Sequence, residues 1–162
     1  MYKYNKEDLV KQIAKHEGVV LKVYKDSLGI DTIGIGRNLE HRGISDDELN
    51  HMGKTIEEIH ENGITLEDAY YLADKDIEIV ESELGDSWGL VEDLDATRQR
   101  VLVDMAFNLG MPRLNKFNCM WSHIEDKNYA NASAEMLNSR WAEQVKSRAT
   151  TLSYAMEHGE FA

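Results

Sequence analysis

A single cysteine and a single proline stand among 162 residues. One thiol cannot close an internal disulfide, so folding needs neither covalent staples nor an oxidising compartment. Cys119 lies beside Met120 and Trp121 and is expected to be a structural, buried thiol. No segment approaches the roughly 20-residue apolar run that spans a bilayer. The N-terminal "MYKYNKEDLVKQIAKHEG" also lacks the apolar core of a signal peptide. The expectation is a cytosolic chain without membrane insertion. Positive charge is scarce: 18 basic against 30 acidic side chains leave a net charge of −12. The excess is concentrated in residues 61–95, which hold 1 basic and 12 acidic side chains, and this argues against nucleic-acid binding through that face. A solvated helix face explains such a run better than an acidic docking surface.

The chain is long enough to bury one core, or to form two small lobes that share one. Residues 5–16 read as an amphipathic helix capped by Asn5, with Leu9, Val10, Ile13 and Ala14 as its stripe and Gly18 as its stop. In "VVLKVYKD" Val19, Leu21 and Val23 alternate with Val20, Lys22 and Tyr24; "DSLG" and "IDTIGIG" complete a hairpin. A third strand is expected near Leu39–Ile44, and helices resume at Ser45 or Asp46 and in "KTIEEIHENG". Thr65 and Asp68 have capping-box spacing. They open a long helix whose stripe is Leu66, Ala69, Leu72, Ala73, Ile77, Val80 and Leu84, with an end expected at Gly85. Four further segments of helical period follow, the first two separated at Gly110-Met111-Pro112. The fold class is α+β and mainly helical.

Several motifs begin and fail. "HEGVV" has Val20 where a second zinc ligand would stand, and "DKDIEIVESELG" puts Ile79 and Gly85 where a calcium loop needs glycine and glutamate. "GIGRNL" lacks the third glycine of a dinucleotide site, and no "GxSxG" occurs. Glu17, Asp26 and Thr32 remain. A glycosidase needs a carboxylic acid to protonate the leaving oxygen and a second carboxylate across the scissile bond. By spacing alone, two acids beside a turn are more often surface charge and an Asx-turn.

The run "HEGVVLKVYKDSLGIDTIGIGR" resembles the catalytic hairpin of the T-even phage lysozymes, glycoside hydrolase family 24. Its pattern is a glutamate before glycine, an aspartate after eight intervening residues, and a threonine in "TIGIG" after five more. The likeness extends over the whole chain through "GIT" at 63–65, "AFNLG" at 106–110 and "SRWAEQVKSRA" at 139–149. It implies a single lysozyme-like domain: a sheet-containing lobe over 17–64, a connecting helix over 65–85, and a helical lobe formed by 1–16 with 86–162.

The resemblance casts Glu17 as general acid. It makes Asp26 the carboxylate that activates water or stabilises positive charge on the sugar, and Thr32 the holder of that water. Arg148 is implied as the partner that fixes the Glu17 carboxyl. After "GIG" the family commonly has histidine paired with an aspartate; here Arg37 and Asp76 take those places, and the acid sensitivity of the link is expected to come from Asp76. Asn38 stands where a cleft-lining leucine is familiar, Phe107 matches a cleft aromatic, and Met120 and Glu135 replace glycan-contacting residues.

The implied activity is an inverting endolysin muramidase that cleaves the β-1,4 bond between N-acetylmuramic acid and N-acetylglucosamine. The resemblance implies a monomer without cofactor or metal. It would accumulate in the host cytoplasm and reach the peptidoglycan glycan strands of the wall after a holin-like membrane protein opens the inner membrane. The acidity departs from the basic character of many wall-degrading enzymes, unless the local potential of the cleft differs from the average. Two rivals differ in chemistry. A non-catalytic glycan-binding or virion module needs no acid paired with a water site. A lytic transglycosylase needs only the acid.

Overall fold

The computed structural model describes residues 2–162. Its elements separate into one unit spanning Lys6–Glu78 and a second formed by Ile79–Ala162 with the N-terminal residues up to Asn5. The fold class is α+β and mainly helical, as expected. Residues 6–16 cluster with the sheet rather than with 86–162, which differs from the division read from the resemblance.

In the first unit, α1 (Lys6–Glu17) buries the expected stripe of Leu9, Val10, Ile13 and Ala14. It stops where Gly18, at φ 82°, donates its N–H to the Ala14 carbonyl. Strands β1 (Val20–Lys25), β2 (Asp31–Gly34) and β3 (Arg37–Asn38) form an antiparallel sheet in sequential order. The third strand is therefore two residues at Arg37–Asn38, not a strand within Leu39–Ile44. Asn38 explains the early stop: its Oδ1 accepts the N–H groups of Glu40 and His41, which turns the chain out of the sheet. The alternation expected along β1 also breaks. Val19 and Val23 pack on the core, but Leu21 is exposed, because the β1–β2 register shifts between Val20 and Tyr24.

Beneath the sheet lie α2 (Asp46–Met52), α3 (Ile56–Asn62) and the start of α4 (Leu66–Ser87). Ile33, Ile59, Ile64, Ala69 and Leu72 form the core; burying each of the larger side chains contributes roughly 1.5–3 kcal/mol. Gly63 is required where α3 meets β1. Its φ is 80°, and a Cβ there would lie 2.2 Å from the Leu21 carbonyl oxygen, which accepts the Ile64 N–H. Thr65 and Asp68 make the expected reciprocal capping box. Leu66, placed on the stripe by its spacing, is instead exposed at the first turn. Gly85 does not end α4: it keeps a negative φ, and the Trp88 N–H still bonds the Leu84 carbonyl.

In the second unit a 3-10 turn (Gly89–Asp93) leads into α5 (Ala96–Leu109), which Asp95 caps. Helix α5 is buried on nearly every side, with Val101, Leu102, Val103 and Met105 at zero exposure, as expected of a central helix. Against it pack α6 (Met111–Leu114) and α10 (Ser147–His158); α8 (Tyr129–Leu137) packs on α10, with α7 (Asn118–Glu125) and α9 (Arg140–Val145) beside it. Pro112 does not break the chain but sits in the first turn of α6, where its missing N–H costs nothing. The segment from Asn128 through Trp141, of single helical period, divides at Asn138 because Ser139 caps a new helix through the Ala142 N–H. Cys119 is exposed, contrary to expectation, since α7 turns Met120, Trp121 and Ile124 inward instead. No helix among the described residues is long and apolar enough to cross a membrane.

Candidate active site

Glu17, Asp26 and Thr32 all belong to the unit that holds the sheet. Glu17 is the last residue of α1, and its carboxyl lies beside Gly36 of "TIGIG": a Cβ there would meet Glu17 Oε2 at 3.8 Å, an ordinary contact. Thr32 and Tyr24 are register partners across β1 and β2. The Tyr24 hydroxyl is pushed above its usual range, first by partial burial and then by the negative charges of Asp26 and Glu17. One tyrosine therefore lies within electrostatic reach of both carboxylates and across from the threonine. Sequence reading treated Tyr24 only as a member of the strand pattern.

Asp26 closes the hairpin. Its Oδ1 accepts two backbone N–H groups, from Leu28 at 2.8 Å and Ile30 at 2.9 Å, while its own N–H bonds the Ile30 carbonyl. This is the Asx-turn of the alternative reading. It occupies one oxygen only, and Oδ2 makes no hydrogen bond among the described residues. Turn former and chemical base are thus compatible in one side chain. Thr32 is 4 % exposed, and its hydroxyl donates to the Ile30 carbonyl at 2.9 Å. With that proton committed, Oγ1 faces any further partner as an acceptor.

Arg37 is 2 % exposed at the base of the hairpin. Its Nε donates to Asp76 Oδ2 at 2.9 Å, so the expected pair is present. The guanidinium does more than that pairing required. Nη1 and Nη2 reach both oxygens of Glu48 at 2.9 Å, and they also donate to the carbonyls of Gly43 and Leu72. Arg42 adds a second cation on Asp76 at 3.2 Å. Glu48 was not anticipated, although Ser45 and Glu48 have capping-box spacing and make both bonds of that box. Burial works to raise the Glu48 carboxyl, but the Arg37 and Ser45 hydrogen bonds outweigh it and hold the group down at about 2. Asp76 moves the other way: burial raises it, and Arg37 and Arg42 only partly oppose that. As pH falls Asp76 is therefore the first partner of Arg37 to be neutralised, as expected, whereas Glu48, held by the bidentate fork, keeps its charge down to about 2 and carries the stabilisation that acid removes.

The remaining candidates, apart from Asn38, lie in the helical unit. Arg148, 7 % exposed, places Nε and Nη2 on Asp104 Oδ1 at 2.9 and 2.7 Å. Asp104 has no exposure and had been passed over, its one signal being a lone acid inside "VLVDMAF". The segments "AFNLG" and "SRW" meet directly: Trp141 Nε1 donates to Asn108 Oδ1 at 2.7 Å. Phe107 is half-buried on α5. Met120 and Glu135 line a concavity of about 440 Å³ together with Phe117, Trp141, Arg113 and Arg140. Met120 is fully buried there, so it shapes the floor rather than offering surface. Asn38 lies in the other unit, its side-chain oxygen engaged in the turn after β3.

The model of the family described as "Phage lysozyme" matches residues 14–154. The chain belongs to the phage lysozyme family. A lysozyme-like glycosidase activity goes with that membership. Among its relatives, "Probable T4-type lysozyme 2" of Dictyostelium discoideum is 30 % identical over 152 residues, covering 88 % of this chain and 89 % of that one. "Probable T4-type lysozyme 1" of the same organism is 28 % identical over 161 residues, covering 93 % and 94 %. The "Pre-baseplate central spike protein Gp5" of Enterobacteria phage T4 is 30 % identical over 153 residues, which are 88 % of this chain but 26 % of the spike protein. The family match spans Glu17, Asp26, Thr32 and Arg148, so the hairpin and the first part of the last helix lie within it.

Proposed function

We propose that this protein is an inverting muramidase that cleaves the β-1,4 bond between N-acetylmuramic acid and N-acetylglucosamine in peptidoglycan and serves as an endolysin. The observation that carries the reading is the division of labour in the hairpin. One Asp26 oxygen is held by the turn, the other is free to accept, and the Thr32 hydroxyl is turned so that it too accepts. Two acceptors converging on one water, which has two protons to donate, leave the water's lone pair to attack the anomeric carbon. Glu17 gives its proton to the departing glycosidic oxygen, the C–O bond breaks, and Asp26 takes the proton that the water loses. Attack from the face opposite the leaving group inverts the anomer.

The concavity beside Glu135 carries Arg113, Lys116 and Arg140 against that one carboxylate. A locally positive surface would receive the acidic groups of the wall polymer despite the charge of −12 on the whole chain. Met120 and Glu135 would adjust its preference. Action on the wall follows release from the host cytoplasm through a holin-dependent opening of the inner membrane, by a monomer that needs no cofactor. Similarity to a central spike protein makes a virion module the rival reading. The preserved acceptor pair at Asp26 and Thr32 favours turnover.

Purified peptidoglycan digested by wild type and by Glu17→Gln in parallel tests the reading. Wild type should release fragments with a hydrated reducing end, and the amide variant should lose about 10²- to 10⁴-fold in rate. Anhydro products, lighter by one water, would mean transglycosylation. No release by wild type would mean a binding module.

A further inference from the structure

Away from the hairpin, α1 and α4 enclose a second cavity of about 330 Å³, lined by Glu7, Val10, Lys11, Tyr70, Tyr71 and Asp74. All six belong to the sheet-containing unit. The two tyrosines differ. Tyr71 is held on His51, ring centroids 3.7 Å apart and nearly parallel, with Lys75 Nζ 5.5 Å from its centroid. Tyr70 makes neither a ring contact nor a hydroxyl bond among the described residues. It is therefore an uncommitted aromatic surface beside a fixed one. Charge is balanced around the cavity: Glu7 lies 3.6 Å from Lys11, and Asp74 lies 3.7 Å from Lys6, which also reaches Glu78 at 3.5 Å, itself 3.7 Å from Lys75. A compensated pair offers hydrogen-bonding atoms without net charge, so neither a cation nor an anion is favoured there. What fits is a neutral ligand with one apolar face for the aromatic surface and several hydroxyl or amide groups for the rim. The volume stands at the small end of about 300–1,000 Å³ for ligand sites, room for one sugar ring rather than a length of strand.

We propose that this cavity is a second saccharide site that binds an N-acetylated amino sugar of a glycan strand, with the pyranose face on Tyr70 and the polar groups on Glu7, Lys11 and Asp74. The proposal rests on the reading that glycan is the substrate. Val10 precedes Glu17 by two helical turns, about 10 Å along the α1 axis, which separates the cavity from the acid. A second contact with the same polymer raises the effective concentration of strand at the hairpin without using charge, which suits a chain of net charge −12.

The test is an NMR titration of the Glu17→Gln protein with chitotetraose, with maltotetraose as control. Two groups of amides should move with chitotetraose, one in the hairpin and one at residues 7–11 and 70–74; Tyr70→Ala and, separately, Glu7→Gln should remove only the second. With active enzyme, Tyr70→Ala should raise KM on whole sacculi about three- to tenfold, leaving kcat and turnover of short fragments unchanged. Movement of the hairpin amides alone overturns the second site and leaves the glycosidase reading standing. Equal response to maltotetraose overturns it as non-specific. Silence of both groups overturns it and removes the support for glycan as the ligand.

Discussion

Asp26 at the tip of the hairpin and Arg37 at its base are eleven residues apart, yet they are held by different physics. Asp26 is positioned by amides two and four residues along the same chain, half-exposed. Arg37 is positioned by Glu48 and Asp76 and by two carbonyls up to 35 residues away, with its side chain 1 % exposed. A side chain held by its own turn keeps its geometry when its chemistry is changed. A side chain that satisfies four distant groups cannot be changed without leaving buried charge unpaired. The tip should therefore control activity, and the base should control stability.

Asp26→Asn is the strongest way to break that division. The amide keeps Oδ1 for the turn and replaces Oδ2 with a donor, so kcat should fall by about 10²-fold or more while stability stays within about 0.5 kcal/mol. Equal activity of the two proteins would reduce Asp26 to a turn former. At the base, Arg37→Met should leave activity per folded molecule near wild type but lower stability by about 3–5 kcal/mol, a fall in Tm on the order of 10 °C. Thermal unfolding would show it. A double-mutant cycle with Glu48→Gln should give larger coupling than one with Asp76→Asn, because Glu48 takes two bonds of the fork.

The acid limb sharpens the same contrast. The Glu48 carboxyl is depressed to about 2, so its contribution is present above its unfolded value near 4.3 and is lost as pH falls through about 2. Asp76 is raised, which has the opposite sign: its ionised form opposes folding, and taking up its proton offsets part of the loss. Stability should thus fall by about 2 kcal/mol between pH 4.5 and pH 2 on account of Glu48. Denaturant melts of Glu48→Gln should show a flatter limb there; an unchanged limb would place the titration elsewhere. Smallest is Lys25→Met, which removes the exposed 2.8 Å ion pair with Asp31 across the hairpin. No measurable change in Tm is expected, since solvent screens such a pair.

Legibility in the sequence divides along the same line. The helix stop at Gly18, the capping box of Thr65 with Asp68 and the hairpin around "DSLG" could all be read, because each is a local arrangement of neighbours. Asp26 and Thr32 were found as chemistry in waiting, although their spacing alone did not separate an Asx-turn from a base. The structure shows that the two are compatible, since the turn engages Oδ1 alone. Expectations failed where distant groups intervene. Leu21 left the core through a shift in strand register, Leu66 was exposed at a helix start, and Cys119 faced outward because Met120, Trp121 and Ile124 took the interior.

Sequence alone determined the fold class, the hairpin that holds the candidate catalytic residues and the pairing of Arg37 with Asp76, because turns, caps and motif order depend on residues close along the chain or on a pattern shared by a family. Tertiary structure alone decided that Glu48 holds the arginine fork, that Asp104 meets Arg148, and that Tyr24 lies within reach of both hairpin carboxylates. A buried charge must be satisfied by whatever donors and acceptors the packing brings to it. That depends on the whole fold, and no spacing in the chain records it.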